Sequence, residues 1–138
     1  MSEKNVLKFQ RRAKEITRRN RGVSMSSRLR ELGQYVRGWT AYFCLEQRKT
    51  LFSELDKWLR RRIRACYWKW WKNPRTRVRH LLSLGVPRHE AVTHGSSRKG
   101  PWRMSGSRAI HMAMGNEWLA DRGLLSLEGP WNRFAPKR

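Results

Sequence analysis

Between Lys57 and Arg79 the chain carries ten basic residues and no acidic one. Lys57, Arg60, Arg61, Arg62, Arg64, Lys69, Lys72, Arg75, Arg77 and Arg79 supply the charge, with Trp58, Trp68, Trp70 and Trp71 among them. Guanidinium and ammonium groups neutralise phosphates and release counterions, while an indole offers a flat face to an unstacked base. These residue types in one stretch point to polyanion binding. A merely solvated face usually mixes Glu with Lys and gains pairs at i,i+4, which this stretch lacks. A second basic run, Arg11, Arg12, Lys14, Arg18, Arg19 and Arg21, is interrupted only by Glu15.

Residues that make and break bonds are present but not arranged for it. The ten Asp and Glu residues form no paired-carboxylate motif for two-metal phosphoryl transfer. His80, His89, His94 and His111 show no metal-ligand spacing with Cys or Glu. An HExxH helix starting at His89 needs a second histidine where Thr93 stands. Cys44 and Cys66 lie far apart with no CxxC pair, against a zinc cage or dense disulfide framework and in keeping with a reduced, cytoplasmic setting. No GxxxxGK[ST] loop occurs. The residues therefore describe a binder, with no catalytic residue, metal, cofactor or small-molecule substrate expected.

The bulk composition agrees. The 138 residues suit one small domain. Lys plus Arg is 32 against 10 Asp plus Glu, a formal charge of +22, and self-repulsion on that scale calls for a polyanion. It excludes an acid-binding or calcium-binding protein. Eight tryptophans exclude a disordered basic tail. No apolar run approaches the roughly 20 residues of a membrane span, and MSEKNVLKFQRR has no signal-peptide core, so no membrane partner is expected.

The elements that must position the basic residues read as helices, because almost nothing alternates at period two. The pattern predicts an all-α fold, a small bundle of five to six helices with a long basic central helix. A first, mostly polar helix covers 3–18 and ends before Asn20-Arg21-Gly22. Ser24, Ser26 or Ser27 can cap a second, whose stripe is Leu29, Leu32, Val36, Trp39 and Phe43. Arg30 and Arg37 line up opposite that stripe. Gly38 costs about 1 kcal/mol relative to Ala within a helix, which predicts close approach there, by a neighbouring helix or by a nucleic-acid backbone. The third helix, 50–72, is stopped by Asn73-Pro74. Thr76 can cap a fourth, closed by Gly85, and Pro87 opens a short fifth. Residues 95–107 read as an exposed loop, and a last helix covers 107–121.

At 100° per residue, Leu51, Leu55, Trp58, Leu59, Ile63, Cys66 and Trp70 share one broad face of the third helix. Lys57, Arg60, Arg61, Arg64 and Lys72 lie opposite, with Trp68 and Trp71 among these cations. For the two indoles, base stacking and packing on a neighbouring element stand as equal readings.

The order ITRRNRG (16–22), LRELGQYVRGWTAYF (29–43), LDKWLRRRIRACYWKWWKNPRTR (55–77) and LLSLGV (81–86) resembles one family. It is that of the maturase-specific C-terminal domain, or domain X, of bacterial group II intron reverse transcriptase/maturases. GPWRMS (100–105), Ala113–Asn116 and GLLSL (123–127) continue the resemblance. It implies a helical domain that follows the reverse-transcriptase thumb and binds folded group II intron RNA to assist splicing, the ribonucleoprotein then serving intron mobility. The RNA performs the transesterification. Carried onto this chain, the resemblance and the charge pattern give an RNA-facing set of Arg18, Arg19, Arg21, Arg30, Arg37, Lys57, Arg60, Arg61, Arg64, Trp68, Lys69, Trp71, Lys72, Arg75, Arg77 and Arg79. The expected organisation is a thumb-like helix end and basic turn (1–22), the maturase-specific domain (23–127) and a loose tail (128–138). No fingers, palm or Tyr-x-Asp-Asp box precedes it and no Cys-rich endonuclease follows, so a truncated, split or excised module is expected, without polymerase activity of its own. The alternative is the C-terminal part of a split RNA-directed DNA polymerase acting with a separate polymerase chain.

Overall fold

The computed structural model describes residues 3–18, 22–43, 49–124 and 127. Among them are eight helices and no strand: α1 (Glu3–Ile16), α2 (Met25–Phe43), α3 (Lys49–Trp70), α4 (Pro74–Ser83), α5 (Arg88–Gly95), α6 (Pro101–Met104), α7 (Arg108–Ala113) and α8 (Asn116–Asp121). The all-α expectation holds, with more and shorter helices than five or six. The excess comes from the C-terminal third. The expected loop at 95–107 contains α6, and the expected helix at 107–121 breaks at Met114-Gly115 into α7 and α8.

Local chemistry sets the ends. Ser24 Oγ accepts from the Ser27 N–H at 3.1 Å and starts α2. Asn73-Pro74 does two jobs. It follows the end of α3, and Asn73 Oδ1 accepts from the Thr76 N–H at 2.9 Å, so Asn73 caps α4 in place of Thr76, with Pro74 in its first turn. Gly85 takes φ +92° beyond the end of α4, as a left-handed glycine there should.

The chain divides into two compact units, one of Met1–Leu59 with Ala120–Arg138, the other of Arg60–Leu119. In the first, α1 is amphipathic rather than mostly polar. Phe9, Ala13 and Ile16 are buried at helical spacing, with Leu29, Leu32 and Val36 of α2 and Phe52, Leu55 and Leu59 of α3. Phe9 stacks on Tyr35 at 5.6 Å between centroids, and Trp39 meets Phe9 at 4.5 Å and Phe52 at 5.8 Å. Asp56 is buried, and its Oδ1 accepts from the Leu127 N–H at 2.6 Å.

The second unit gathers α4 to α7 and most of α8 about the C-terminal half of α3. Every residue from Ile63 to Trp68 is buried, and so is Trp71. A helix apolar on all sides is a buried helix, and ACYW (65–68) carries that signal. Gly95 is buried against α4, where a Cβ would fall 2.5 Å from Val78 Cγ2.

Candidate nucleic-acid interface

In the first unit, Arg18, Arg30, Arg37 and Lys57 are exposed. Arg18 follows α1, and its carbonyl accepts from Nη2 of the buried Arg28 at 2.8 Å. A second donor of Arg28, Nη1, meets Met25 Sδ at 2.9 Å. Arg28 thus holds the chain just beyond the end of α1, a role that sequence reasoning missed. Its signal was spacing: Arg28 precedes Leu32 by four residues and shares the edge of that apolar stripe. Arg19 and Arg21 lie outside the described residues. Gly38 does not show the expected helix contact. It is exposed, and nothing among the described residues comes within 4 Å of a Cβ built there.

In the second unit, Lys69, Lys72, Arg75 and Arg79 are exposed, and none pairs with a carboxylate of a described residue. Arg60 is half-buried. Arg61, Arg64 and Arg77 instead spend their donors within the fold. Arg61 donates Nε to Ser105 Oγ at 3.2 Å and Nη2 to the Trp102 carbonyl at 3.0 Å, with its guanidinium 4.0 Å from the Trp102 ring centroid. Arg64 is 3% exposed and donates Nε to the Met114 carbonyl at 2.7 Å and Nη2 to Asn116 Oδ1 at 3.0 Å. It clasps the break between α7 and α8. Burial first, and the Arg60 cation second, lower its pKa to about 10, so it stays charged at neutral pH. Arg77 donates Nε and Nη2 to the Trp68 carbonyl at 3.2 and 3.0 Å, satisfying an acceptor left open in the last turn of α3.

The indoles change places relative to the helical wheel. Trp68 is 0% exposed and Trp71 3%, so packing, not stacking on a base, is what their surroundings allow. Arg77 lies 4.8 Å from the Trp68 ring centroid, and His80 stacks on Trp71 at 4.3 Å with planes 7° apart. Trp70, placed with the aliphatics by the wheel, is 61% exposed. The wheel assumes one wet side. From Ile63 to Trp68 α3 has none, because Trp102 and Ser105 near α6 meet Arg61 just before this stretch, the Met114–Asn116 turn and Trp118 of α8 contact it, and His80 of α4 covers Trp71 just beyond it.

Among the described residues no group of three or more His, Cys, Asp or Glu is placed to hold a metal ion. No described helix is long and apolar enough to cross a membrane. Cys66 is a buried free thiol.

What the exposed cations can do chemically is bind phosphates one at a time, from helices and, for Arg18 and Lys72, from the residues just beyond a helix end. A comparison with curated proteins found no match. The family model of the group II intron maturase-specific domain matches residues 6–85, which span α1 to α4 and carry the predicted cations from Arg18 to Arg79. The chain therefore belongs to the family of group II intron maturase-specific domains.

Proposed function

We propose that this chain binds folded group II intron RNA through its exposed cations and helps that RNA reach the shape in which it splices. The carrying observation is the coincidence of the family match over 6–85 with a stretch, 57–79, that is basic throughout and lacks any carboxylate. Lys57, Lys69, Lys72, Arg75 and Arg79 stand exposed there. Cations on folded helices meet phosphates at fixed positions and select an RNA by the shape of its backbone, with little reading of base edges. Lowering phosphate repulsion where RNA helices must approach is how such a protein assists folding. The maturase-specific domain is not a polymerase domain, and in our reading this chain catalyses nothing: the RNA supplies the reacting groups. In this reading the setting is the cytoplasm, in keeping with two cysteines that form no CxxC pair.

The test is splicing of a group II intron precursor at a magnesium concentration too low for self-splicing. Added protein should restore product, and a footprint on the intron should map protected backbone positions. Equal affinity for the intron and for bulk duplex RNA, with no rescue of splicing, would reduce the protein to a general condensing agent.

A further inference from the structure

We propose that the exposed indole of Trp70 is a stacking platform for an unpaired RNA base. This rests on the RNA-binding reading above and adds a site to it. The second unit contains five tryptophans between Arg60 and Leu119. Four already have partners for their rings. Arg77 covers Trp68, His80 lies flat on Trp71, Arg61 sits over Trp102, and Trp118 meets Tyr67 at 4.9 Å. Trp70 is different. Its ring meets that of Tyr67, one helical turn back, at 6.1 Å and an interplanar angle of 58°, and 61% of the residue is exposed. A tilted approach at that distance steadies the indole without covering its face.

The surroundings select the occupant. Lys69 and Lys72 flank Trp70 and are exposed, and no acidic residue lies anywhere between Lys57 and Arg79. Phosphates are drawn to that charge while a base can lie on the indole, the combination by which single-stranded nucleic acid is held. Bases inside an A-form duplex are stacked on one another and present no free face, so the platform takes a loop, bulge or single-stranded nucleotide. Trp70 is the last residue of α3, a 22-residue helix that sets its backbone.

The experiment uses the full chain with two RNAs of equal length, a hairpin with an unpaired loop and a fully paired duplex. Trp70→Ala should weaken binding of the hairpin roughly 5- to 150-fold, the range expected for one stacked base. Duplex affinity, salt dependence and the melting curve should stay as in wild type, and Trp70→Phe should recover most of the loss. Unchanged hairpin binding by Trp70→Ala, or an equal loss on both RNAs, overturns the platform. So does a lowered melting temperature with normal binding by the folded fraction, and so does a wild-type dimer in sedimentation that Trp70→Ala dissociates, since a second copy would then occupy the indole. Failure of wild type to bind either RNA would instead overturn the RNA-binding reading itself.

Discussion

Arg60 and Arg64, one helical turn apart, should fail differently when their charge is removed. Arg64 is buried and spends two donors on the Met114 carbonyl and Asn116. Gln cannot reach both, and hydrogen bonds from a charged donor are worth about 1.5–3 kcal/mol. Arg64→Gln should therefore lower stability by about that much in urea denaturation. Arg60→Gln should unfold like wild type and bind RNA less tightly. Gly38 gives the opposite sign. It lies within α2 with open space about it, so Gly38→Ala should raise stability by about 0.5–1 kcal/mol. If an RNA backbone passes over that position, the same variant gains stability and loses affinity. At this scale the sequence displayed the charges but not their occupations. Arg61, Arg64 and Arg77 look like their neighbours in composition, and only their carbonyl partners, brought from residues 9 to 50 positions away, mark them as structural.

The elements were more legible than the faces they present. Period and capping chemistry located α2, α3 and α4 because those signals are local: Ser24 on the Ser27 N–H, Asn73 on the Thr76 N–H, Gly85 at positive φ. The orientation of α3 was not local. Its first half keeps a wet side, shown by the exposed Glu54 and Lys57, Ile63 to Trp68 have none, and Lys69 and Trp70 emerge again at its end, so one wheel could not describe all three. Trp71 and His80 tie the end of α3 to α4, and this stack should titrate. Burial, then the Arg79 cation, hold His80 below its ordinary 6.5, and desolvation, then Arg64, Arg61 and Arg60, do the same to His111. A depressed folded-state value means that the unfolded chain takes up protons first as pH falls through about 6.5. Stability should thus be level above pH 7 and decline below about 6.5, until the folded histidines protonate too. Melting curves across that interval should show the decline, and His80→Gln should flatten part of it. A second tie is testable without titration. Asp56→Ala leaves the Leu127 N–H without its acceptor and should cost about 1–3 kcal/mol, whereas Asp56→Asn keeps an acceptor oxygen and should cost less.

For the molecule as a whole, the governing quantity is a charge of +22 on 138 residues. Each phosphate engaged by Lys or Arg releases condensed counterions, so the logarithm of the binding constant falls linearly with the logarithm of salt, at about 0.7–0.9 per phosphate. The sequence alone counts every cation between 57 and 79 except Arg62 as RNA-facing. The structure withdraws Arg64 into the core and commits Arg61 and Arg77 to carbonyls, leaving Lys57, Lys69, Lys72, Arg75 and Arg79 exposed in that stretch. About five engaged phosphates predict a slope near −4. Changing Lys69, Lys72, Arg75 and Arg79 together to Gln should make it shallower by about 0.7–0.9 for each phosphate no longer engaged, with circular dichroism unchanged, because all four side chains are exposed, Lys72 lies between α3 and α4, and Gln at the three helical positions costs little relative to Lys or Arg. The fall in affinity should be similar for any RNA, since binding to phosphate carries no sequence information. Trp70→Ala should show the reverse signature, a loss confined to RNA with unpaired bases and a slope that does not move. A quadruple variant that kept the wild-type slope would place the phosphates elsewhere, on the exposed Arg18, Arg30 and Arg37 of the first unit, where the same substitution and the same slope measurement apply.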